Sequence, residues 1–154
     1  MTADPNFDLA QAHRYFSASC FNSAWDLIDK TDRTPAEDEQ MIRLNQTSIW
    51  HWTQRQDCTD QTMSVGYWQA ARIYALLGRS AQARHYGQLC LQHSREEPPF
   101  FLAYAYEALA RAEQTAGAVN KAEEYRAEAA WIAEKITDAD SKKQLLDDLQ
   151  TITT

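Results

Sequence analysis

Apolar side chains recur along this chain at intervals of three and four residues, and no segment alternates in the manner of a strand. Advancing about 100° per residue from Leu9 places Leu9, Ala12, His13, Phe16, Cys20, Ala24 and Leu27 within a sector of about 120°. That stripe crosses the weak helix formers SASCFNS unbroken, so it predicts one core-facing helix over about residues 6–30. The next start is marked by Thr34, Pro35 and Glu37, a capping box with proline at the first helical position. It opens a second helix running to about residue 57. Asp60 or Thr62 begins a third, which Gly78 ends, and Ser80 is expected to cap a fourth that fades near Arg95. Pro98 and Pro99 start a fifth helix that stops at Gly117, and Asn120 or a neighbour begins a sixth reaching about Ile136. Asp138 caps a last amphipathic helix carrying Leu145, Leu146, Leu149 and Ile152. The expectation is an all-α chain of about seven helices joined by short loops, with no linker, forming one domain over residues 1–154.

Composition agrees. Four Gly and four Pro in 154 residues are few for a protein of many strands and turns, and 11% aromatics supply large side chains for a core. A formal net charge of −7 argues against nucleic acid as a partner, because phosphates are neutralised by basic surfaces. The most apolar run, FFLAYAYEALA, contains Glu107 and is followed by Arg111, so it does not predict a membrane span. The start, MTADPNFD, lacks the apolar core of a secretion signal. Cys20, Cys58 and Cys90 are odd in number and far apart, which reads as free thiols in a cytoplasmic protein.

An internal correspondence is also present. GRSAQARHYGQLC (78–90) aligns with GAVNKAEEYRAEA (117–129), matching Gly78 with Gly117, Ala83 with Ala122 and Tyr86 with Tyr125. Upstream, Tyr67, Ala71 and Arg72 match Tyr106, Ala110 and Arg111 at the same offset (78 to 117). Glycine allows a left-handed exit from a helix, the small Ala allows close helix approach, and Tyr fills the groove beyond. A helix ending in Gly before an Ala and aromatics on the following helix resembles tetratricopeptide repeats over about residues 62–136. Gly87 and Arg126 stand where that pattern expects an aromatic, and the repeat is longer than usual. The segments AWDLI, DRTPAEDEQMI, HW, YALLGR and AYEALARA are further similar to a group of bacterial tetratricopeptide-like proteins. The resemblance implies a right-handed array of antiparallel hairpins at about 6–57, 60–95 and 98–136, with a capping helix at about 139–152.

Candidate chemistry is sparse. In SIWHW (48–52), two steps of about 100° turn Trp50 and Trp52 roughly 160° apart, so they do not sandwich His51. His51 falls beside Leu44 and Arg55 and reads as a packed edge residue; a small-molecule or enzyme pocket near His13 and His51 is the alternative. His13, His51, His85 and His93 show no metal-ligand spacing, although a site assembled from different helices is not visible in a linear pattern. GRSAQ is not a nucleophile elbow, Cys90 reads as core, and AEDEQ and DAD sit at helix starts where the dipole favours carboxylates. No catalytic residue, metal or cofactor is expected.

The resemblance implies instead a non-enzymatic module that grips a protein or peptide on the inner face of its stacked helices. In the family register Val65, Trp68, Arg72 and Leu76 line that face from the third helix, and Tyr104, Glu107, Arg111 and Gln114 from the fifth. Two arginines in one column can hold a carboxylate in a bidentate manner while Trp68 and Tyr104 take an apolar neighbour. The same spacings also fit local structure, since Glu107 and Arg111 form an i, i+4 pair and Trp68 lies four residues before Arg72. Self-association through the C-terminal helix is a further alternative.

Overall fold

The computed structural model describes residues 6–153; the first five residues of the polar MTADPNFD segment and Thr154 lie outside that range. Seven α-helices and no strand are found among the described residues: α1 (Leu9–Ile28), α2 (Pro35–Thr53), α3 (Asp60–Leu76), α4 (Ser80–Ser94), α5 (Pro99–Thr115), α6 (Val119–Ala133) and α7 (Ala139–Gln150). They gather into two compact units, Met1–Thr59 and Asp60–Thr154.

In the first unit α1 is continuous through SASCFNS, and Asp8 caps it by accepting from the Gln11 N–H at 3.0 Å. Small buried residues (Ser17, Ala24, Ser48) let α1 and α2 pack closely, and the Ser48 hydroxyl donates to the Ser17 carbonyl at 2.6 Å. The DRTPAEDE segment works in both directions. Thr34 and Glu37 form the reciprocal capping box of α2, while Arg33 donates to the carbonyls of Leu27, Ile28 and Lys30 and so closes the end of α1. Arg33 is held there by Asp38 at 2.8 Å. The second helix is shorter than its pattern predicts. It ends at Thr53 because the chain tightens to i→i+3 bonds, Gln54 to His51 and Arg55 to Trp52, freeing Arg55 to reach Ser17 and Asp57.

The second unit holds α3 to α7. Gly78 and Gly117 take left-handed φ angles of 70° and 73° and end α3 and α5 with the same two bonds. In α3 the N–H groups of Gly78 and Arg79 reach the carbonyls of Ala75 and Tyr74; in α5 those of Gly117 and Ala118 reach Gln114 and Glu113. This corrects the expected cap at Ser80. Arg79, already committed to closing α3, is itself the N-cap of α4 and makes no side-chain cap bond, and Ser80 is the first helical residue. Equivalent rings then meet at the 39-residue offset: Tyr67 lies over Tyr86 at 6.1 Å, and Tyr106 over Tyr125 at 6.0 Å.

The core of this unit joins Ala103, Tyr104, Ala129, Ile132 and Ala133 to Leu145, Leu149 and Ile152, so the apolar stripe of α7 is covered inside the unit. Gly87 on α4 faces α5, where an added Cβ would stand 2.8 Å from Cδ2 of the fully buried Leu109. Gly87→Val should therefore destabilise the protein by about 1–3 kcal/mol through overpacking, read as a lower urea midpoint with an unchanged slope.

Candidate functional site

Trp68 and Arg72 lie one turn apart on α3, and Glu107 and Arg111 one turn apart on α5, so two short columns face each other inside the second unit. Their focus is Glu107, whose side chain has no solvent exposure. The Trp68 indole donates to its Oε2 at 2.9 Å, and the Arg111 Nε donates to its Oε1. Arg72 Nη1 approaches the same Oε1 at 3.5 Å. A buried carboxylate needs such partners, because desolvation otherwise drives it to its neutral form. Arg72 is less well placed. Its Nε and Nη1 are buried without a hydrogen-bond partner, and burial, with the charge of Arg111, holds its guanidinium below the usual arginine range.

The remaining residues of the expected α5 column turn toward the C-terminal segment. Tyr104 packs edge-on to Trp68 at 5.5 Å and donates to Asp148 at 2.6 Å. Burial, reinforced by that carboxylate, holds the Tyr104 phenol far above its ordinary value. Arg111 extends past Glu107 to the Asp148 carbonyl and the Thr151 hydroxyl, at 2.8 and 2.5 Å. Gln114 donates to the Thr153 carbonyl. Trp68, Arg72, Tyr104, Glu107 and Arg111 are thus brought together. Gln114 stands at the edge of the group, Leu76 is 44% exposed, and Val65 is half-buried further along α3. A cavity of about 160 Å³ opens at that edge, lined by Arg72, Ala75, Leu76, Arg111, Gln114 and Thr115.

Sequence reading did not find the partners from α7 and beyond, Asp148, Thr151 and Thr153. It also missed the bidentate pair of Arg84 with the buried Glu113, at 2.9 and 2.7 Å. These contacts join residues 29 to 44 positions apart, and no local spacing announces them. Cys90 is buried, and burial pushes its thiol up to about 12, which makes it a poor nucleophile at neutral pH.

In the first unit His13 and His51 meet directly, Nδ1 to Nδ1 at 2.8 Å. Phe16 stacks on His51, and Trp50, 55% exposed, lies edge-on to both imidazoles. Trp52 lies instead under the Arg55 guanidinium at 3.7 Å. Desolvation, with the charge of His13, lowers the His51 pKa below its ordinary 6.5.

Among the described residues no group of three or more His, Cys, Asp or Glu is arranged to hold a metal ion, and no helix is long and apolar enough to cross a membrane. No family model, curated protein or solved structure matches the chain.

Two outcomes are expected from this geometry. Glu107→Gln leaves Arg72 and Arg111 without their counter-charge and should cost roughly 3–5 kcal/mol of stability in chemical denaturation. For His51, the folded pKa lies below the unfolded one, so its contribution is complete above about pH 6.5 and declines as pH falls through the folded value. Urea midpoints measured with chelator at pH 7.5, 6 and 5 should drop toward acid, and His51→Gln should flatten that slope.

Proposed function

We propose that this chain is a non-enzymatic binding module of tetratricopeptide-like design, its hairpins stacked in a right-handed sense, that takes a protein or peptide partner on the α3 and α5 surface. The ligand group is a carboxylate, either an acidic side chain or a chain end, seated in the cavity beside Arg72 and Gln114. Leu76, exposed at the rim, meets the apolar neighbour of that group. The observation that carries this reading is Arg72: a guanidinium with two unbonded nitrogens, bordering a cavity shared with Arg111 and Gln114. The 39-residue recurrence of helix ends and ring pairs supports the repeat design, because it builds two similar hairpins from similar residues. Three cysteines without a disulfide fit a reducing compartment.

Arg111 is unsuitable for a test of binding, since it anchors α7 as well as Glu107. Arg72→Gln is the cleaner variant, since Nε and Nη1 of Arg72 make no hydrogen bond and Trp68 and Arg111 still hydrogen-bond Glu107 without it. Fluorescence polarisation against peptides with free acidic ends and their amidated counterparts should show tenfold to 100-fold weaker capture by Arg72→Gln, the order expected for a charged hydrogen bond. Equal capture of acid and amide forms, or full capture by the folded variant, would rule the reading out.

A further inference from the structure

His13 and His51 come from different helices, yet their Nδ1 atoms face each other at 2.8 Å. With both hydrogens on Nε2, two lone pairs would confront one another across that gap. Something positive must lie between them, either the hydrogen of an N–H···N bond or a cation. The rings are also held in place. Phe16 stacks on His51 with centroids 5.3 Å apart, and Trp50 packs edge-on to His51 at 4.8 Å and to His13 at 5.5 Å. One turn deeper the bond from Ser48 to the Ser17 carbonyl locks α1 to α2. His51 occupies the last turn of α2, where the helix dipole favours added positive charge.

We propose that His13 and His51 form a two-imidazole site for a single Cu²⁺ or Ni²⁺ ion, bound in cis through the two Nδ1 atoms with water in the remaining positions. Metal–imidazole bonds of about 2.0–2.1 Å place two nitrogens roughly 2.9 Å apart at a right angle and roughly 3.4 Å apart at a tetrahedral angle. The observed 2.8 Å matches the right angle. That is the geometry of tetragonal nitrogen and oxygen coordination, which selects Cu²⁺ and Ni²⁺ over Zn²⁺. For two neutral rings the exchange balances without proton release: the ring that carried hydrogen on Nδ1 carries it on Nε2 instead, and the ion accepts both freed lone pairs. The site lies wholly in the first unit and does not depend on the peptide-binding reading of the second.

Calorimetric titration of the full chain with Cu²⁺, and separately with Ni²⁺, in a non-coordinating buffer at neutral pH should show one equivalent bound. The Cu²⁺ form should show two nitrogen donors by electron paramagnetic resonance. His13→Phe, which keeps an aromatic ring against Trp50 and His51, and His51→Ala should each weaken binding tenfold or more, while His85→Ala and His93→Ala leave it unchanged. Circular dichroism establishes that each variant is folded; where His51→Ala is not, His13→Phe decides alone. No stoichiometric binding, or binding of unchanged strength in the folded His13→Phe variant, overturns the site.

Discussion

A carboxylate with no access to water dominates the second unit. An indole N–H and two guanidinium groups surround Glu107 there. That arrangement joins α3 to α5 through Trp68 and Arg72. Through Arg111 it extends to the end of α7, since the guanidinium that holds Glu107 also bonds the Asp148 carbonyl and Thr151. The apolar core beneath would pack in more than one register on its own, as hydrophobic contact is non-directional. A buried ion pair with fixed bond directions narrows those choices.

The same cluster leaves one of its cations incompletely satisfied. Two arginines converge on one glutamate, and of the two only Arg111 hydrogen-bonds it. Arg72 carries the consequence: two of its nitrogens are buried and unbonded, and the residue borders a cavity. The first unit differs: two partly buried imidazoles meet directly, and aromatic rings rather than charges flank them.

The features legible in the sequence were those decided within one or two turns. Thr34 and Glu37 close on each other, Asp138 accepts from the Ser141 N–H, and both helix-ending glycines are left-handed, because each bond is made between neighbours. The differences arose where one residue served two elements or met a distant partner. Ser80 lost its capping role since Arg79 had to close α3 and open α4 within a single position. Helix α2 stops at Thr53, where the chain tightens to i→i+3 bonds and Arg55 reaches Ser17, 38 residues away.

The candidate site divides along the same line. Periodicity alone put Trp68 and Arg72 on one helix face and Glu107 and Arg111 on another, because residues four apart share a face whatever surrounds the helix. It did not reveal that Glu107 would be sealed from solvent, that Tyr104 and Arg111 would turn to Asp148 and Thr151, or that His13 would meet His51. Helices, their caps and their apolar faces follow from bonds and rotations of a few residues, and those the chain specified by itself. Which polar groups end up buried together depends on how helices 30 to 40 residues apart pack, and that was decided only by the tertiary structure.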